Sequence, residues 1–96
     1  MRVRGQSMSP TFRDGDLVLI DRHAFHQRPP RPGDIVAARP PDLQDKALIK
    51  RVTTVSTAGV TLLGDNPADS LDSRRFGPLL FDRLVGRVCC RVWPLK

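Results

Sequence analysis

One hydroxyl and one amine stand out in this chain for the chemistry they could do together. Ser7 lies in Gly5-Gln6-Ser7-Met8-Ser9-Pro10-Thr11, where Gly5 and Pro10 bend or restrict the backbone on either side of a small hydroxyl. Such a turn can present Oγ and a backbone N–H side by side. A serine alone is a weak nucleophile, so attack on an amide needs a base within about 3 Å and donors for the oxyanion that develops. His23 and His26 are the usual type of base, but they sit beside an Arg/Pro-rich stretch and have no acidic partner at a suggestive spacing. Lys50 is the better candidate. Side chains alternate along a strand, so within Ala47 to Val55 it shares a face with Leu48 and Val52, while Arg51 faces the other way with Ile49 and Thr53. Among aliphatic neighbours the charged ammonium is disfavoured. A lysine pKa can then fall several units from about 10.4, leaving a neutral amine that accepts a serine proton. On residue type alone the plainer readings stay open: an ordinary turn serine, and a lysine that snorkels into water.

The elements that must position these groups are strands. Ninety-six residues suit one domain spanning 1–96. Nine Pro, seven Gly and short runs of Val, Thr and Leu favour strands and tight turns, and all ten acidic residues are Asp, so few good surface helix formers remain. The expected fold is mostly β. Its strands are Leu17 to Arg22, Ile35 to Arg39, Ala47 to Val55, Val60 to Leu63, a short Leu79 to Phe81, and Leu84 to Trp93. Alternation along the last strand puts Cys90 in the core and Cys89 at the rim. Cys89 lies between Arg87 and Arg91, which leaves open a reactive thiol as well as a plain rim residue. Adjacent cysteines form no unstrained disulfide and are too few for a structural zinc site, so a reducing compartment is expected and no metal.

Four blocks in order resemble the signal-peptidase I family of serine/lysine proteases, and the resemblance covers nearly the whole chain. They are Ser7-Met8-Ser9-Pro10-Thr11 with Gly15-Asp16; Arg31-Pro32-Gly33-Asp34-Ile35-Val36; Lys50-Arg51-Val52; and Gly64-Asp65-Asn66 followed by Ser70, Asp72-Ser73-Arg74 and Phe76-Gly77-Pro78. The resemblance implies a compact coiled antiparallel β-domain, with Ser7 at the start of its first strand and Lys50 reaching it from a central one, and an endopeptidase that removes an N-terminal leader without a cofactor. In it Ser7 is the nucleophile, Lys50 the general base and Ser70 the hydroxyl that orients the amine, while Asp72 and Arg74 pair to hold their loop. A hydroxyl suits a neutral amine where a carboxylate would restore its charge, so Asp72 is expected to face Arg74. The family's preference for small residues before the scissile bond implies shallow pockets, to which Met8 would contribute. Gly5 stands where many members carry a second hydroxyl donor to the oxyanion, leaving backbone donors at that position. The segment after Val52 reads Thr53-Thr54-Val55-Ser56 in place of the family's Gly-x-Pro-Gly-Asp continuation.

Only six residues precede Ser7, and no apolar run approaches the roughly 20 residues that span a bilayer. The expectation is therefore a cytoplasmic protein without a membrane anchor in this chain. The short form looks most like the maturation proteases of nickel-containing superoxide dismutase, which implies that protein's precursor as partner. Two other readings carry weight. A self-cleaving repressor-type Ser/Lys protease shares the Ser-Met-x-Pro-Thr block, but not the Gly64 to Arg74 signature. A basic β-barrel binding nucleic acid would suit a net charge of +6, yet Phe12, Phe25, Phe76, Phe81 and Trp93 do not alternate with cations along a strand, and no nucleic-acid partner is expected.

Overall fold

The computed structural model describes residues 1–41, 47–68 and 76–94. Five strands form one antiparallel sheet: β1 (Leu17–Asp21), β2 (Ile35–Ala38), β3 (Leu48–Ser56), β4 (Gly59–Leu63) and β5 (Leu84–Trp93). The order across the sheet is β1-β5-β2-β3-β4, so the last strand in sequence separates the first two and β3 lies inside the sheet. One short helix, α1 (Ala24–Gln27), joins β1 to β2; the sequence reading had no helix there. The mostly-β, compact antiparallel architecture is as expected.

Two of the strands begin with the same four-residue device. In Arg13-Asp14-Gly15-Asp16 and in Arg31-Pro32-Gly33-Asp34, the Asp N–H donates to the Arg carbonyl at 3.0 Å in both. The glycines take φ of +91° and +96°, the value a type II turn needs at its third residue. The Asp carboxylates then accept the Arg N–H groups, Asp16 Oδ2 from Arg13 at 2.8 Å and Asp34 Oδ2 from Arg31 at 2.9 Å. Each Asp also meets an arginine side chain: Arg91 reaches Asp16 at 3.5 Å, and Arg28 holds Asp34 through two nitrogens at 3.0 and 3.1 Å. Partial burial works against the Asp34 charge, but the bonds from Arg28 and the Arg31 N–H outweigh it and hold the carboxyl below its ordinary range.

β2 reads Ile-Val-Ala-Ala because both of its faces are covered. Ala37 joins Val3, Met8, Phe12, Val18, Ile49 and Val88 on one side. Val36 and Ala38 join Val52, Val60, Leu62 and Leu79 on the other. Each large aliphatic buried here contributes roughly 1.5–3 kcal/mol. A sheet apolar on both faces at its centre leaves little room for a charge, which gives meaning to the one lysine found there.

Three expectations need correction. Leu79 to Phe81 is no strand: Leu79 makes a single bridge to Val60, and Phe81–Arg83 is a 3-10 turn leading into β5. Ser7 does not begin the first strand but sits in the turn ahead of β1. Cys90 is exposed, as Cys89 is. The reason is a bulge, since Leu19 pairs with Cys90 while Ile20 pairs with Val88; two residues of β5 oppose one step of β1 at Cys89, and strict alternation ends there.

Candidate active site

Lys50 is the third residue of β3, opposite Val36 of β2 and on the face of Val52, as the alternation implied. Its exposure is 2%. Arg51, one position on, is half-buried and pairs with Leu63, the last residue of β4, so the next residue, Gly64, falls alongside Lys50.

The segment Gly64-Asp65-Asn66 brings Ser7 to that place, each residue by a different means. At Gly64 a Cβ would lie 2.7 Å from the Ser7 carbonyl oxygen and 3.4 Å from its Cβ, so only glycine lets the serine turn come this close. The Asn66 N–H donates to the Ser7 carbonyl at 2.8 Å, and its side-chain amide donates to the Gln6 carbonyl at 3.0 Å. Asp65 accepts from Thr11 Oγ1 at 2.6 Å and from Arg51 Nε and Nη2, both at 2.8 Å. Arg51 also donates to the Gly33 carbonyl at 3.0 Å. The Arg51 bonds lower the Asp65 pKa against the opposing effect of burial, with Thr11 adding to the fall, and Asp65 in turn raises that of Arg51. The serine turn, the β4 exit and the lysine strand are thus tied through one carboxylate.

Ser7 and Lys50 line a common cavity of about 490 Å³, with Met8, Ile49, Leu48 and Arg2 among its walls. A second cavity, of about 580 Å³ between α1 and the Phe81–Leu84 stretch, contains neither candidate residue. Met8 is 1% exposed, packed in the core while edging the first cavity. The N–H of Gly5 donates to Asp14 Oδ1 at 2.8 Å. His23 and His26 face one another at 5.3 Å between ring centroids, on the other side of the connection to β2. Ser70, Asp72 and Arg74 lie outside the described residues.

Sequence reasoning missed the joint role of Thr11, Arg51, Gly64, Asp65 and Asn66. The signal was present in the position of Arg51 beside Lys50 and in the uninterrupted Gly-Asp-Asn. It could not be read because Thr11 and Asp65 are 54 positions apart.

The sequence pattern described as peptidase S24-like matches residues 1–89. The chain belongs to the peptidase S24-like family. Over 96% of its length this S24-like chain is 38% identical to mitochondrial inner membrane protease subunit 1 of Xenopus tropicalis, of which it covers 67%. It is 33% identical, over 96% of its length and 68% of the relative, to mitochondrial ATP-independent inner membrane protease subunit 1b of Arabidopsis thaliana. A probable signal peptidase I-1 of Synechocystis is 35% identical over 96% of the chain and 69% of the relative. The resemblance to signal peptidase I is therefore sound, and the family acts on protein substrates. The cytoplasmic assignment is not: relatives that are inner membrane protease subunits point to membrane association. Among the described residues no helix is long and apolar enough to cross a membrane, which is compatible with association through other means.

Two predictions concern the scaffold of this S24-like peptidase. Gly64→Ala should push the Ser7 turn outward and lower kcat/KM by about tenfold to a hundredfold, the scale of an ångström-sized misplacement. The circular dichroism spectrum should stay unchanged; equal activity in the two proteins would remove the close-approach argument. The second concerns acid. The carboxyls of Asp34 and Asp65 titrate lower when folded, so their stabilisation is complete above the unfolded value of about 3.9 and disappears as pH falls through the folded one. The melting temperature of wild type should decline below about pH 4, and an Asp34→Asn, Asp65→Asn protein should show a shallower decline over that window.

Proposed function

We propose that this chain is a serine endopeptidase that removes N-terminal leaders from precursor proteins, with Ser7 as nucleophile and Lys50 as general base. One observation carries the reading: a lysine amine 2% exposed on an apolar face opens into the same cavity as a turn serine. Burial works against the ammonium and in favour of the amine that a base must be.

In the first step Lys50 Nζ takes the proton of Ser7 Oγ while Oγ bonds to the substrate carbonyl carbon. The carbonyl oxygen becomes an oxyanion. The Gly5 N–H is occupied by Asp14, and the Ser7 N–H is assigned as the backbone donor for it. The C–N bond then breaks, the ammonium of Lys50 protonates the departing amine, and an ester on Ser7 remains. A water attacks that ester and gives its proton to Lys50, and the returning proton frees Ser7. Ser70 is assigned to orient the amine and the Asp72–Arg74 pair to brace the loop that carries it; Met8 shapes the floor beneath small substrate residues.

Relatives named as signal peptidase I and as inner membrane protease subunits support leader removal over self-cleavage, and they support membrane association of the proposed work. The precursor of nickel-containing superoxide dismutase is the first substrate to try, because its leader must be cut to free a metal-binding N-terminus. Incubation of purified protein with that precursor and with leader-bearing membrane precursors, followed by sequencing of the new N-terminus, tests the proposal. Ser7→Ala should abolish processing without changing the fold. Undiminished processing by Ser7→Ala would end it.

A further inference from the structure

The cavity has walls of two kinds. Its lining combines Ser7 and Lys50 with apolar Met8, Leu48 and Ile49 and with two cations, Arg2 and Arg4. Among the described lining residues none is acidic. Arg2 and Arg4 belong to the segment that pairs along β1: the Val3 N–H donates to the Asp16 carbonyl at 2.7 Å and the Gly15 N–H to the Val3 carbonyl at 2.8 Å. Val3, between them, is packed in the core at 3% exposure. In an extended segment residues two apart share a side, so the arginines project together, about 6.5–7 Å apart at their Cα atoms.

Neither charge is neutralised within the described chain. Arg2 Nη1 donates to the Gly15 carbonyl at 3.0 Å, which orients the guanidinium and leaves its charge intact. Arg4 takes part in no ion pair among the described residues; those found there join Arg28 to Asp34, Arg51 to Asp65 and Arg91 to Asp16. The nearest acid along the chain, Asp14, spends one oxygen on the Gly5 N–H. Two cations, one of them oriented by a backbone carbonyl, stand five and three positions before the candidate nucleophile and line the cavity.

We infer that Arg2 and Arg4 are specificity residues that select precursors with an Asp or Glu within about five residues of the scissile bond. The inference rests on the peptidase reading of Ser7 and Lys50. A peptide is the favoured anion because the arginines flank the cavity that holds those two groups; a lipid headgroup or nucleic acid would answer to their charge but leave the cavity unused.

The test uses fluorescent peptides with small residues at the cleavage point and a single Asp, Ala or Lys placed in turn at each of five positions on either side. At low ionic strength, kcat/KM should favour Asp over Lys by about five- to tenfold at one or more positions, and the preference should shrink in high salt. Arg4→Gln should reduce the ratio, and Arg2→Glu with Arg4→Glu should invert it. Anisotropy measurements of peptide binding to Ser7→Ala and to wild type give a second reading that needs no turnover. Equal cleavage of Asp and Lys peptides, or a ratio unmoved by the charge reversals, overturns the inference and leaves the peptidase reading standing. If wild type cleaves no peptide yet binds Asp over Lys peptides through Arg2 and Arg4, the recognition holds and the peptidase reading falls. Selective loss of binding to anionic vesicles, with the peptide ratio unchanged, also overturns it.

Discussion

Lys50→Met should leave a folded protein with processing activity lowered by on the order of 10³ or more. Methionine is close to lysine in length and volume, so the position opposite Val36 stays filled while the proton acceptor disappears. The melting temperature should be equal to or higher than that of wild type, because an apolar side chain replaces an amine that is 2% exposed. Lys50→Arg should be as inactive, since a guanidinium keeps its proton at any accessible pH. In wild type the rate should fall as acid protonates the amine, a limb that neither variant can show. Initial rates on a leader peptide, measured alongside thermal melts, check both halves of this prediction. Retained turnover in Lys50→Met would remove lysine from the chemistry.

Asp65→Ala should produce a smaller but still substantial loss. One carboxylate receives Thr11 from the serine turn and two nitrogens of Arg51 from the lysine strand. Removing it frees the turn and strands Arg51. The Arg51 side chain is 35% exposed and that of Asp65 17%, so water recovers part of the lost interaction. A stability loss of about 1–3 kcal/mol is expected after that discount. The catalytic loss should be larger in proportion, about 10²-fold in kcat, because displacement of Ser7 by an ångström spoils attack geometry. Thr11→Val, which removes one bond of the three, should lose about tenfold. Asp65→Asn keeps an acceptor oxygen and should fall between them. Denaturant titration and single-turnover kinetics on the four proteins separate the stability effect from the positional one.

How much of this was legible in the chain depends on the range of the interaction that decides it. The strands Ile35–Ala38 and Leu48–Ser56 were readable because Gly-Asp turns introduce β1 and β2 and because the β3 pattern is local. The burial of Lys50 followed from the same alternation. Cys90 was misjudged because a one-residue bulge has no local signature: nothing in Val88-Cys89-Cys90 announces that β1 will skip a step opposite it. Leu79 to Phe81 read as a strand from its apolar content, but only Leu79 finds a partner and Leu80 and Phe81 remain 60% and 44% exposed. The clamp around Asp65 was invisible for a different reason, since its members come from three separate stretches that meet only in the folded sheet. Ser7 and Lys50 were found by residue type and block order, whereas the contacts that bring them to one cavity were not.

The neighbour relations of the sheet also constrain the timing of its assembly. Leu17 is joined to Trp93, so of the five strands the first to be made waits for the last before it gains its neighbour strand in the sheet. Such wiring makes folding slow, because the pairing that closes the sheet joins residues near opposite ends of this sequence.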